Sequence, residues 1–598
     1  MILSDFVKLL ESKNELIRVR QFVDTVFEIA EITNRFSKTE NGGKALFFEN
    51  TGTNFPILTN AFGSNTRICY ALGVNNLDEI SAEINKLFSA FTSPKTSFFD
   101  KLSLLPKLKQ IAEWMPKHKS GKGKCQDVIM QNPDLNQLPV LKCYPFDGGK
   151  FITLPMVHTI NPENNIRNVG MYRMQIFDEK TTGMHWHKHK TGAAHFEMYK
   201  NQNRIMPVVV TLGGDTVYTY AATAPLPDGI DEYIFAGFLR KKSVELVKCL
   251  TQPIYVPTDV DFVIEGYVNP QEPLCLEGAF GDHTGFYSLQ DLFPKFHVTC
   301  ITHKKNAIYP ATLVGIPPQE DAYIAKATER IFLEPVRLVI SPEVEDLNMP
   351  VEGVFHNIAI VKINKKYAGQ AIKTANSLWG AGQMMFNKIM IIVNGNVDIH
   401  NYADLIEKIN KNINIDSDIY FTKGPLDILD HSAQSLGFGG KICIDATEKA
   451  AEEKISQNNY ENKKLYSFVN KNKFDKNNID AKITIVFDDF VDVKNISQAV
   501  WLLGNNIDAV RDCKIIDGNL IVDACMKHKN HKSIFAESEF NFTRRCPNIA
   551  CSSDETIKII DSKWKNLNIG KFIPSPSENI KNLVLSEGAE FINEKNME

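Results

Sequence analysis

Hydrophobic and polar positions follow different patterns along the chain, and each pattern predicts a different kind of structure. Residues 1–115 combine helical periodicity with short strand-like runs such as ALFFEN and FPILTN, which indicates an α/β domain. Residues 116–325 contain mostly strand-like runs, among them RIMPVVVTLG and DFVIEGYV, separated by Gly, Pro, Asn and Asp. Many short strands with frequent turn residues predict a β-barrel or a β-sandwich. The exception is DEYIFAGFLRKKSVELVKC, which predicts one helix or two.

The first residues predict an amphipathic helix. Phe6, Leu9 and Leu10 recur at helical spacing, and Ser4 precedes them as a candidate N-cap. Charged residues interrupt this stretch every few positions, so it lacks the long apolar core of a signal peptide. The sequence also has no apolar run near the roughly 20 residues that span a bilayer. We therefore expect a cytoplasmic protein with at most peripheral membrane contact.

After about residue 325 buried strands alternate with helices, which predicts a C-terminal α/β domain over residues 326–450. The remaining residues, 451–598, contain a segment that resembles part of this domain. Residues 388–419, KIMIIVNGNVDIHNYADLIEKINKNINIDSDI, match residues 482–513, KITIVFDDFVDVKNISQAVWLLGNNIDAVRDC, without a gap. Any two βαβ units look alike at this level, so a duplicated α/β unit and two unrelated units are both open.

Composition adds few constraints. The 598 residues are 43% hydrophobic and 23% charged, with a formal net charge of −4. These values are ordinary for a soluble globular protein and give no electrostatic sign of a nucleic-acid binder. The 11 cysteines are scattered and include no Cys-x2-Cys pair. This usage indicates a reducing compartment and argues against a zinc or iron–sulfur framework.

Four of the 14 histidines lie within the stretch MHWHKHKTGAAHF, residues 184–196. A metal site, a phosphate-binding segment and a solvated basic strand are the three interpretations that this composition allows. If the stretch is a strand, His185, His187 and His189 share one face and Trp186 lies on the other. Three such histidines alone are more often the polar face of a sheet than a metal site, so the neighbouring motifs have to decide.

A second group of polar residues lies in LEGAFGDHTGFY, where Glu277 and Asp282 are separated by glycines. Their spacing of five residues does not place them on one helix face, where three or four are required. The glycines instead predict a tight loop that brings the backbone near a ligand. Two carboxylates in such a loop form either an acid/base pair, because mutual repulsion raises one pKa, or a solvated turn.

Five motifs resemble, in this order, those of the UbiD family of decarboxylases that use prenylated FMN: NVGMYR, HWHKHK, DEYIFAGFLR, EGAFGDHTGFY and KKYAGQA. The resemblance extends from near residue 1 to about residue 450. It implies an α/β multi-domain fold in which a central split β-barrel, similar to that of flavin reductases, lies between N-terminal and C-terminal α/β domains. The implied reaction is the non-oxidative, reversible decarboxylation of an aromatic carboxylic acid.

The resemblance also implies a site built around prenylated FMN, a divalent metal (Mn²⁺ or Mg²⁺) and K⁺. The implied metal ligands are Asn168, His189 and Glu232. An amide, an imidazole and a carboxylate suit either divalent ion. The implied catalytic residues are Arg173, Glu277 and Asp282. The implied cofactor-binding residues are Met171, Tyr172, Arg173, His185, Trp186, His187, Lys190, Thr191 and Lys388.

Three positions qualify this assignment. Lys190 and Thr191 stand where many relatives have Arg-Gly, which keeps the positive charge but loses the bidentate guanidinium. Lys388 either reaches the cofactor, as its match in the family implies, or is an ordinary lysine at the start of a strand. His195 lies in the histidine stretch but is expected to have a structural role.

In the mechanism that the resemblance implies, the cofactor accepts the electron pair that the departing CO₂ leaves. Arg173 would hold the substrate carboxylate and keep Glu277 ionised, while Asp282 would protonate the product carbon. We expect burial and Glu277 to raise the pKa of Asp282 for this role. Because strict strand alternation puts Asn168 and Arg173 on opposite faces, we also expect a bend at Gly170 or a β-bulge.

The motifs GDHTGFY and AGFLR favour the quinone-pathway branch of the family. The implied substrate is therefore a polyprenyl-hydroxybenzoate or a dihydroxynaphthoate, with a lipophilic tail allowed. The family further implies a flavin prenyltransferase as supplier of the cofactor and a homo-oligomer, either a dimer or a hexamer. Two alternatives keep the barrel without decarboxylation: a flavin-binding or FMN-reductase-like protein, and a non-catalytic scaffold. The presence of Arg173, Glu277 and Asp282 favours the decarboxylase.

Overall fold

The computed structural model describes residues 1–92, 105–453, 463–529, 531–535 and 542–591. The chain forms two compact units. The first consists of Met1–Ala327 and Ala550–Asn579, and the second consists of Thr328–Ile549 together with the chain from Ile580 onward. The last part of the chain is divided between these two units.

The described residues contain both helices and strands. The helices are α1 Leu3–Ser12, α2 Glu28–Ser37, α3 Asn65–Leu72, α4 Asp78–Thr92, α5 Leu105–Trp114, α6 Thr191–Asn201, α7 Thr216–Ala221, α8 Glu232–Arg240, α9 Glu320–Pro335, α10 Gln370–Trp379, α11 Tyr402–Asn412, α12 Ile415–Asp418, α13 Ile496–Asn506, α14 Ala509–Asp512 and α15 Asp554–Leu567. Within the described ranges, no helix is both long and apolar enough to cross a membrane.

The strands of the first unit are β1 Leu16–Phe22, β2 Ala45–Asn50, β3 Ile57–Thr59, β4 Lys117–His118, β5 Val128–Ile129, β6 Phe151–Ile152, β7 Met156–Ile160, β8 Arg167–Met171, β9 Met174–Gln175, β10 Thr181–Gly183, β11 Met206–Leu212, β12 Glu245–Lys248, β13 Tyr255–Pro257, β14 Phe262–Val268, β15 Cys275–Glu277, β16 Phe280–Gly281, β17 Tyr287–Ser288, β18 Asp291–Phe293, β19 Lys295–His303 and β20 Tyr309–Pro310. Those of the second unit are β21 Val344–Asn348, β22 Ile358–Ile363, β23 Ile389–Asn394, β24 Ile419–Pro425, β25 Phe438–Asp445, β26 Lys464–Asn470, β27 Ala481–Phe487, β28 Cys513–Ile516 and β29 Asn519–Asp523.

A seven-stranded antiparallel sheet is the centre of the first unit. Its strands follow the order β10-β19-β14-β11-β7-β8, and β5 pairs with β19. The apolar residues of β11 and β14 are almost all buried, which explains why these two strands lie inside the sheet. The protein is thus an α/β multi-domain protein with a β-rich middle, as predicted. The pairing path from β10 to β8 is open across the described residues.

One local prediction is wrong, and one open alternative is resolved. Ser4 is not the N-cap of α1, because the helix already begins at Leu3. The start of the chain is fixed instead by backbone pairing, in which Ile2 bridges to Asp215 and the terminal ammonium lies 2.7 Å from the Asp215 carboxylate. Of the one or two helices predicted for DEYIFAGFLRKKSVELVKC, the structure has one, α8. The second half of the stretch contains strand β12, which pairs with both β13 and β4.

The second unit contains two sheets that share a four-strand order, and the first sheet has one further strand, β21, antiparallel to β22. In the first sheet, β22, β23 and β25 are parallel and β24 is antiparallel to β25. In the second sheet, β26, β27 and β29 are parallel and β28 is antiparallel to β29. In each sheet a helix follows the second of these parallel strands along the chain, α11 after β23 and α13 after β27. The matching sequence segments 388–419 and 482–513 therefore occupy equivalent places.

Equivalent polar networks strengthen this correspondence. In the first sheet, the Lys449 ammonium lies 3.2 Å from both Asp418 and Asp445 and donates to the Asp445 carbonyl at 2.8 Å. In the second sheet, the Lys527 ammonium lies 3.7 Å from Asp512 and 3.5 Å from Asp523, and it donates to the Asp523 carbonyl at 2.9 Å. Two unrelated βαβ units have no reason to share such a network, so we infer a duplicated unit.

The two networks differ in exposure, which gives a matched pair of variants. The side chain of Lys527 is 1% exposed, whereas that of Lys449 is 16% exposed. We expect Lys527→Met to lower the free energy of unfolding by about 3–5 kcal/mol, because the buried Asp523 loses its lysine partner, while Asp512 keeps its ion pair with Arg511. Lys449→Met should cost less, since water reaches its partners. Urea titration of both variants measures the difference, and equal losses would contradict the account.

Candidate functional site

Arg173 lies where the chain leaves one strand and enters the next. Strand β8 ends at Met171 and β9 begins at Met174, so Tyr172 and Arg173 occupy the break between them. The expected bend is therefore present, but it follows Gly170 by two residues. Asn168 stays within β8, and the break frees Arg173 from strict strand alternation.

Arg173, Glu277 and Asp282 form one ion cluster. The Arg173 Nε donates to Glu277 Oε1 at 3.2 Å, and a terminal nitrogen of Arg173 forms an ion pair with the Asp282 carboxylate. The side chains of Arg173 and Asp282 are each 10% exposed, and that of Glu277 is 1% exposed. The three predicted catalytic residues are thus brought together in a place where water screens their charges weakly.

One carboxylate oxygen in this cluster is left over. Glu277 Oε2 is buried, and it has no hydrogen-bond partner among the described residues. A buried charged oxygen without a donor costs free energy, so a native protein keeps one only where a ligand or another bound group satisfies it. A Cβ on Gly183 would lie 2.9 Å from this oxygen, so glycine at that position leaves the space beside it open.

The expected pKa of Asp282 is wrong for this arrangement. Burial alone would raise the pKa of Asp282, but the Arg173 guanidinium and His283 outweigh it and hold the pKa well below its usual value. His283 contributes twice, through its backbone N–H at 2.8 Å and its Nδ1 at 3.1 Å from Asp282 Oδ1. The sequence argument considered only burial and Glu277 for this pKa, whereas in the structure Arg173 lies directly against both acids. Asp282 is therefore ionised here.

The histidine stretch is not a strand, because β10 ends at Gly183. The rings of His185, His187 and His189 nevertheless follow one another in space. His185 Nδ1 lies 2.7 Å from Glu277 Oε1, and His185 Nε2 lies 2.7 Å from His187 Nε2. The rings of His187 and His189 follow at 5.8 Å between centroids. Two hydrogen bonds and one ring contact thus connect the ion cluster to His189.

The chemistry of these contacts defines the proton positions on His185. Because the Glu277 carboxylate only accepts, His185 Nδ1 donates to it. Burial, followed by the Arg173 charge, lowers the pKa of His185, so its imidazole is neutral and its Nε2 accepts a hydrogen bond from the Nε2–H of His187. The Trp186 ring is not part of this series of histidine contacts and packs instead against Tyr172 and Phe196.

The three predicted metal ligands line one cavity. Its volume is about 400 Å³, and Asn168, His189 and Glu232 all face it. Glu232 Oε2 accepts the backbone N–H of Val169 at 2.8 Å. Burial raises the pKa of Glu232 to about 7, because Arg167 supplies too little positive charge to offset it. A divalent cation in the cavity would supply that charge.

The same cavity offers groups for an anion. Lys188, Lys190 and Thr191 line it, and helix α6 begins there at Thr191 with Lys190 as its N-cap. A helix N-terminus presents backbone N–H groups and a partial positive charge, so this end of the cavity suits a phosphate. His195 also faces the cavity, but its Nδ1 is bonded to Thr159 Oγ1 at 2.9 Å.

Met171 and Lys388 are among the predicted cofactor-binding residues that do not line this cavity. Met171 is half-buried at the end of β8. Lys388 belongs to the second unit, where its ammonium is fully buried and donates to Asp430 Oδ2 at 2.6 Å, Ser432 Oγ at 3.1 Å and the Ile507 carbonyl at 2.9 Å. A cofactor contact would require Lys388 to break these bonds, and that contact stays a prediction.

Residues that the sequence argument missed hold the acid-bearing loop. Gln175 Oε1 accepts the Gly278 N–H at 2.6 Å, and Asp147 Oδ1 accepts the Gly281 N–H at 2.8 Å. A Cβ on Gly148 would lie 2.4 Å from the Gly278 Cα, so the two loops touch through their backbones. The run PFDGGK, which contains Asp147, has the same Asp-and-glycine composition as GAFGDHTG, and that similarity was the available signal.

Family models match three consecutive parts of the chain. The 3-octaprenyl-4-hydroxybenzoate carboxy-lyase N-terminal domain matches residues 7–84, the Rift-related domain of the same enzymes matches residues 117–317, and their C-terminal domain matches residues 322–446. All three models describe UbiD proteins. The candidate residues of the first unit between Asn168 and Asp282 lie within the second match.

Two relatives match most of the length of this chain. An uncharacterized protein of Aquifex aeolicus (strain VF5) is 44% identical over 453 residues, which are 75% of this chain and 92% of the relative. An uncharacterized protein of Helicobacter pylori (strain J99 / ATCC 700824) is 36% identical over 572 residues, which are 88% of this chain and 91% of the relative.

Among solved structures, vanillic acid decarboxylase of Sedimentibacter hydroxybenzoicus in its closed form has a TM-score of 0.66 at 26% identity, covering 76% of this chain and 94% of that chain. The UbiD-class enzyme HmfF from Pelotomaculum thermopropionicum in complex with FMN shares the fold with a TM-score of 0.63 at 24% identity, covering 77% and 97%. The chain therefore belongs to the UbiD family of carboxy-lyases, and the predicted family and enzyme class, decarboxylase, are confirmed.

Proposed function

We propose that the protein removes CO₂ from an aromatic carboxylic acid that is a quinone precursor, using prenylated FMN and a divalent metal, Mn²⁺ or Mg²⁺. The observation that carries this proposal is the buried cluster of Arg173, Glu277 and Asp282 with its unpartnered Glu277 oxygen. A guanidinium between two acids can bind a carboxylate substrate and supply a proton at the same place. A plain flavin-binding protein or a scaffold has no need of such a cluster.

The cavity fits the proposed cofactor. Asn168, His189 and Glu232 would hold the divalent metal, with phosphate oxygens completing its coordination. The N-terminus of α6, together with Lys190, would bind the cofactor phosphate, and K⁺ is the second cation of the proposal. In this proposal the seven-stranded sheet is the split barrel that surrounds the flavin. When bound, prenylated FMN would supply the electron sink for the carbon that loses CO₂.

Arg173 would control the protonation of Asp282. In the structure Arg173 pairs with Asp282 and keeps its pKa low. A substrate carboxylate at Arg173 would compete for the guanidinium, and the effect of burial would then dominate and raise the pKa of Asp282. Asp282 would take up a proton, and after CO₂ departs it would pass that proton to the carbon. The exchange balances, because one carboxylate and one proton become one C–H bond and CO₂.

An apolar ribbon next to the cluster supports a lipophilic substrate. Leu276 precedes Glu277 in β15 and is the cross-strand partner of Leu292 in β18. Both leucines are more than half exposed, at 55% and 53%. Side chains of this kind would cover the tail or ring of a hydrophobic acid as it approaches Arg173. A flavin prenyltransferase would supply the cofactor, and we keep the expectation of a homo-oligomer.

The experiment is a screen for CO₂ release. The protein is produced with and without a flavin prenyltransferase, supplied with Mn²⁺ and K⁺, and tested on polyprenyl-hydroxybenzoates, dihydroxynaphthoates and simple aromatic acids. We expect release of CO₂ from at least one quinone precursor, only in the preparation made with the prenyltransferase. No release from any acid, with flavin bound, would favour the plain flavin-binding alternative, and a colourless protein would favour the scaffold.

Metal content tests the other half of the proposal. Glu232→Gln keeps the shape of the side chain and removes the charge that a divalent cation would neutralise. We expect Mn²⁺ affinity to fall by at least about 10–100-fold, the loss typical even of residues that only orient a ligand. Glu163→Gln is the control, because Glu163 is an exposed carboxylate that does not line the cavity, although its backbone N–H donates to Asn161, which does. Unchanged Mn²⁺ binding in Glu232→Gln would remove it from the ligand set.

A further inference from the structure

The chain returns to the first unit near its end, beside the loop that carries Asp282. Residues Ala550–Asn579 belong to the first unit, although the matched family domains end at residue 446. Helix α15 forms most of this returning segment. The four residues just before it, 550–553, are here called the strap. Nothing in the proposed mechanism uses them, so their position needs a separate explanation.

The strap lies against a tight turn. Asp282 begins this turn between β16 and β17, and its N–H donates to the Phe286 carbonyl at 3.0 Å. The Gly285 N–H donates back to the Asp282 carbonyl at 2.9 Å. These two bonds define the backbone of Asp282, but a turn this short is stable only if its surroundings hold it.

Ala550 contacts both ends of the turn. Its N–H donates to the Gly285 carbonyl at 3.0 Å. At the other end, a Cβ on Gly281 would lie 2.9 Å from the Ala550 Cβ and 2.3 Å from the ring of Tyr144, so no larger residue fits between the strap and the core. Ala550 itself is 3% exposed. The strap therefore contacts the Asp282 turn through one backbone hydrogen bond, at Gly285, and through the Ala550 methyl group, at Gly281.

Helix α15 fixes the strap in place. Arg35 of α2 is fully buried, and it donates to Asp561 Oδ1 at 2.7 Å and to the Ile573 carbonyl at 3.0 Å. Its guanidinium also lies 5.2 Å from the ring of Trp564, which stacks on Phe36. A buried arginine with two anionic or carbonyl partners and an aromatic neighbour is a strong anchor. Movement of the strap would require this anchor to open.

We propose that Ala550 is a positioning residue for Asp282, and that the returning C-terminal segment serves the active site rather than the second α/β unit. The inference rests on the proposed function, because it gives Asp282 the role of proton donor. It adds that a residue outside the matched family domains sets the place of that donor. A displacement of about 1 Å at a reacting group can cost about 100-fold in rate, so even a loose strap would be felt.

The test compares Ala550→Pro with Ala550→Gly in the full-length protein. Proline removes the N–H that Gly285 accepts, whereas glycine keeps it. Hydrogen exchange of the Asp282 and Gly285 amides is measured first, and it requires neither cofactor nor activity. We expect exchange of both amides to be at least tenfold faster in Ala550→Pro and close to wild type in Ala550→Gly. With cofactor and substrate, kcat should fall by about 100-fold in Ala550→Pro, while KM changes little.

Each outcome decides the proposal. Unchanged exchange in Ala550→Pro overturns it, whatever the activity. Faster exchange with unchanged kcat, in a wild type that is active, also overturns it. If the wild type decarboxylates nothing, the proposed function fails, but the exchange result still decides whether the strap holds the turn. If Ala550→Pro does not fold, Trp564→Ala replaces it, because loss of the stacked ring weakens the anchor without touching the turn, and the same exchange increase is expected.

Discussion

Replacing Asp282 by asparagine should lower kcat by about 10²–10⁴-fold while the cofactor stays bound. Asparagine keeps the size of the side chain and a hydrogen-bond acceptor for His283, but it cannot donate a proton to carbon. Cofactor binding should persist, because the predicted metal and phosphate groups lie in the cavity of Asn168, His189 and Glu232. The measurement is turnover of an identified aromatic acid beside the visible spectrum of the bound flavin.

Asp291→Asn is the control for this variant. Asp291 lies in β18 directly opposite Glu277 in β15, but it is exposed. Loss of its charge changes the net charge by the same amount and touches no buried partner. Wild-type turnover is expected there. Wild-type turnover in Asp282→Asn would remove Asp282 as proton donor and leave the cluster without an assigned acid.

Arg173→Leu should lower the free energy of unfolding by about 3–5 kcal/mol, in addition to abolishing turnover. The variant leaves Glu277 and Asp282 buried without the cation that both of them contact. Arg545→Leu, which breaks a pair with Glu590 at an arginine that is 48% exposed, should cost at most about 1 kcal/mol. Urea titration of both variants at neutral pH gives the comparison.

The loss in Arg173→Leu should also depend on pH. Arg173 holds the pKa of Asp282 below its unfolded value, so this ion pair stabilises the fold above the unfolded pKa of about 4 and the stabilisation is lost as the pH falls through the lower, folded pKa. The difference between wild type and variant should thus be largest at neutral pH and shrink below about pH 4. A pH-independent difference would show that Arg173 acts through packing and not through charge.

Much of the fold follows from hydrophobic patterning. The largely apolar runs of β11, β14, β23 and β27 are recognisable as strands, because buried strands need β-branched and aliphatic residues on both faces. The repeat was visible for the same reason. What the pattern could not give was the side-chain network of Lys449 and Lys527, which depends on contacts between segments far apart in sequence.

The site was predictable in its membership but not in its electrostatics. Motifs placed Arg173, Glu277 and Asp282 in one group, and the structure brings them together. The pKa of Asp282 was predicted in the wrong direction, because the sign depends on whether Arg173 lies nearer than Glu277, and a sequence contains no distances. Ser4 failed as a cap for a similar reason, since tertiary pairing of Ile2 with Asp215 sets the start of α1.

Ala550 could not be identified from the sequence. It is a small apolar residue in the stretch CPNIACSSD, which carries no motif and lies beyond the matched domains. Its N–H donates to the Gly285 carbonyl, and Arg35 anchors the helix that follows it, α15, on α2. Backbone hydrogen bonds between distant segments have no composition signal, so a positioning residue of this kind becomes visible only in three dimensions.

The most direct test of the account is the mass of the small molecule extracted from protein made together with a flavin prenyltransferase, with Glu232→Gln prepared in parallel. The account predicts FMN carrying an added prenyl group in the wild type and a much smaller amount in the variant. Protein that contains no flavin, or a variant that retains as much of it as the wild type, would contradict the claim that this cavity holds the cofactor beside Arg173.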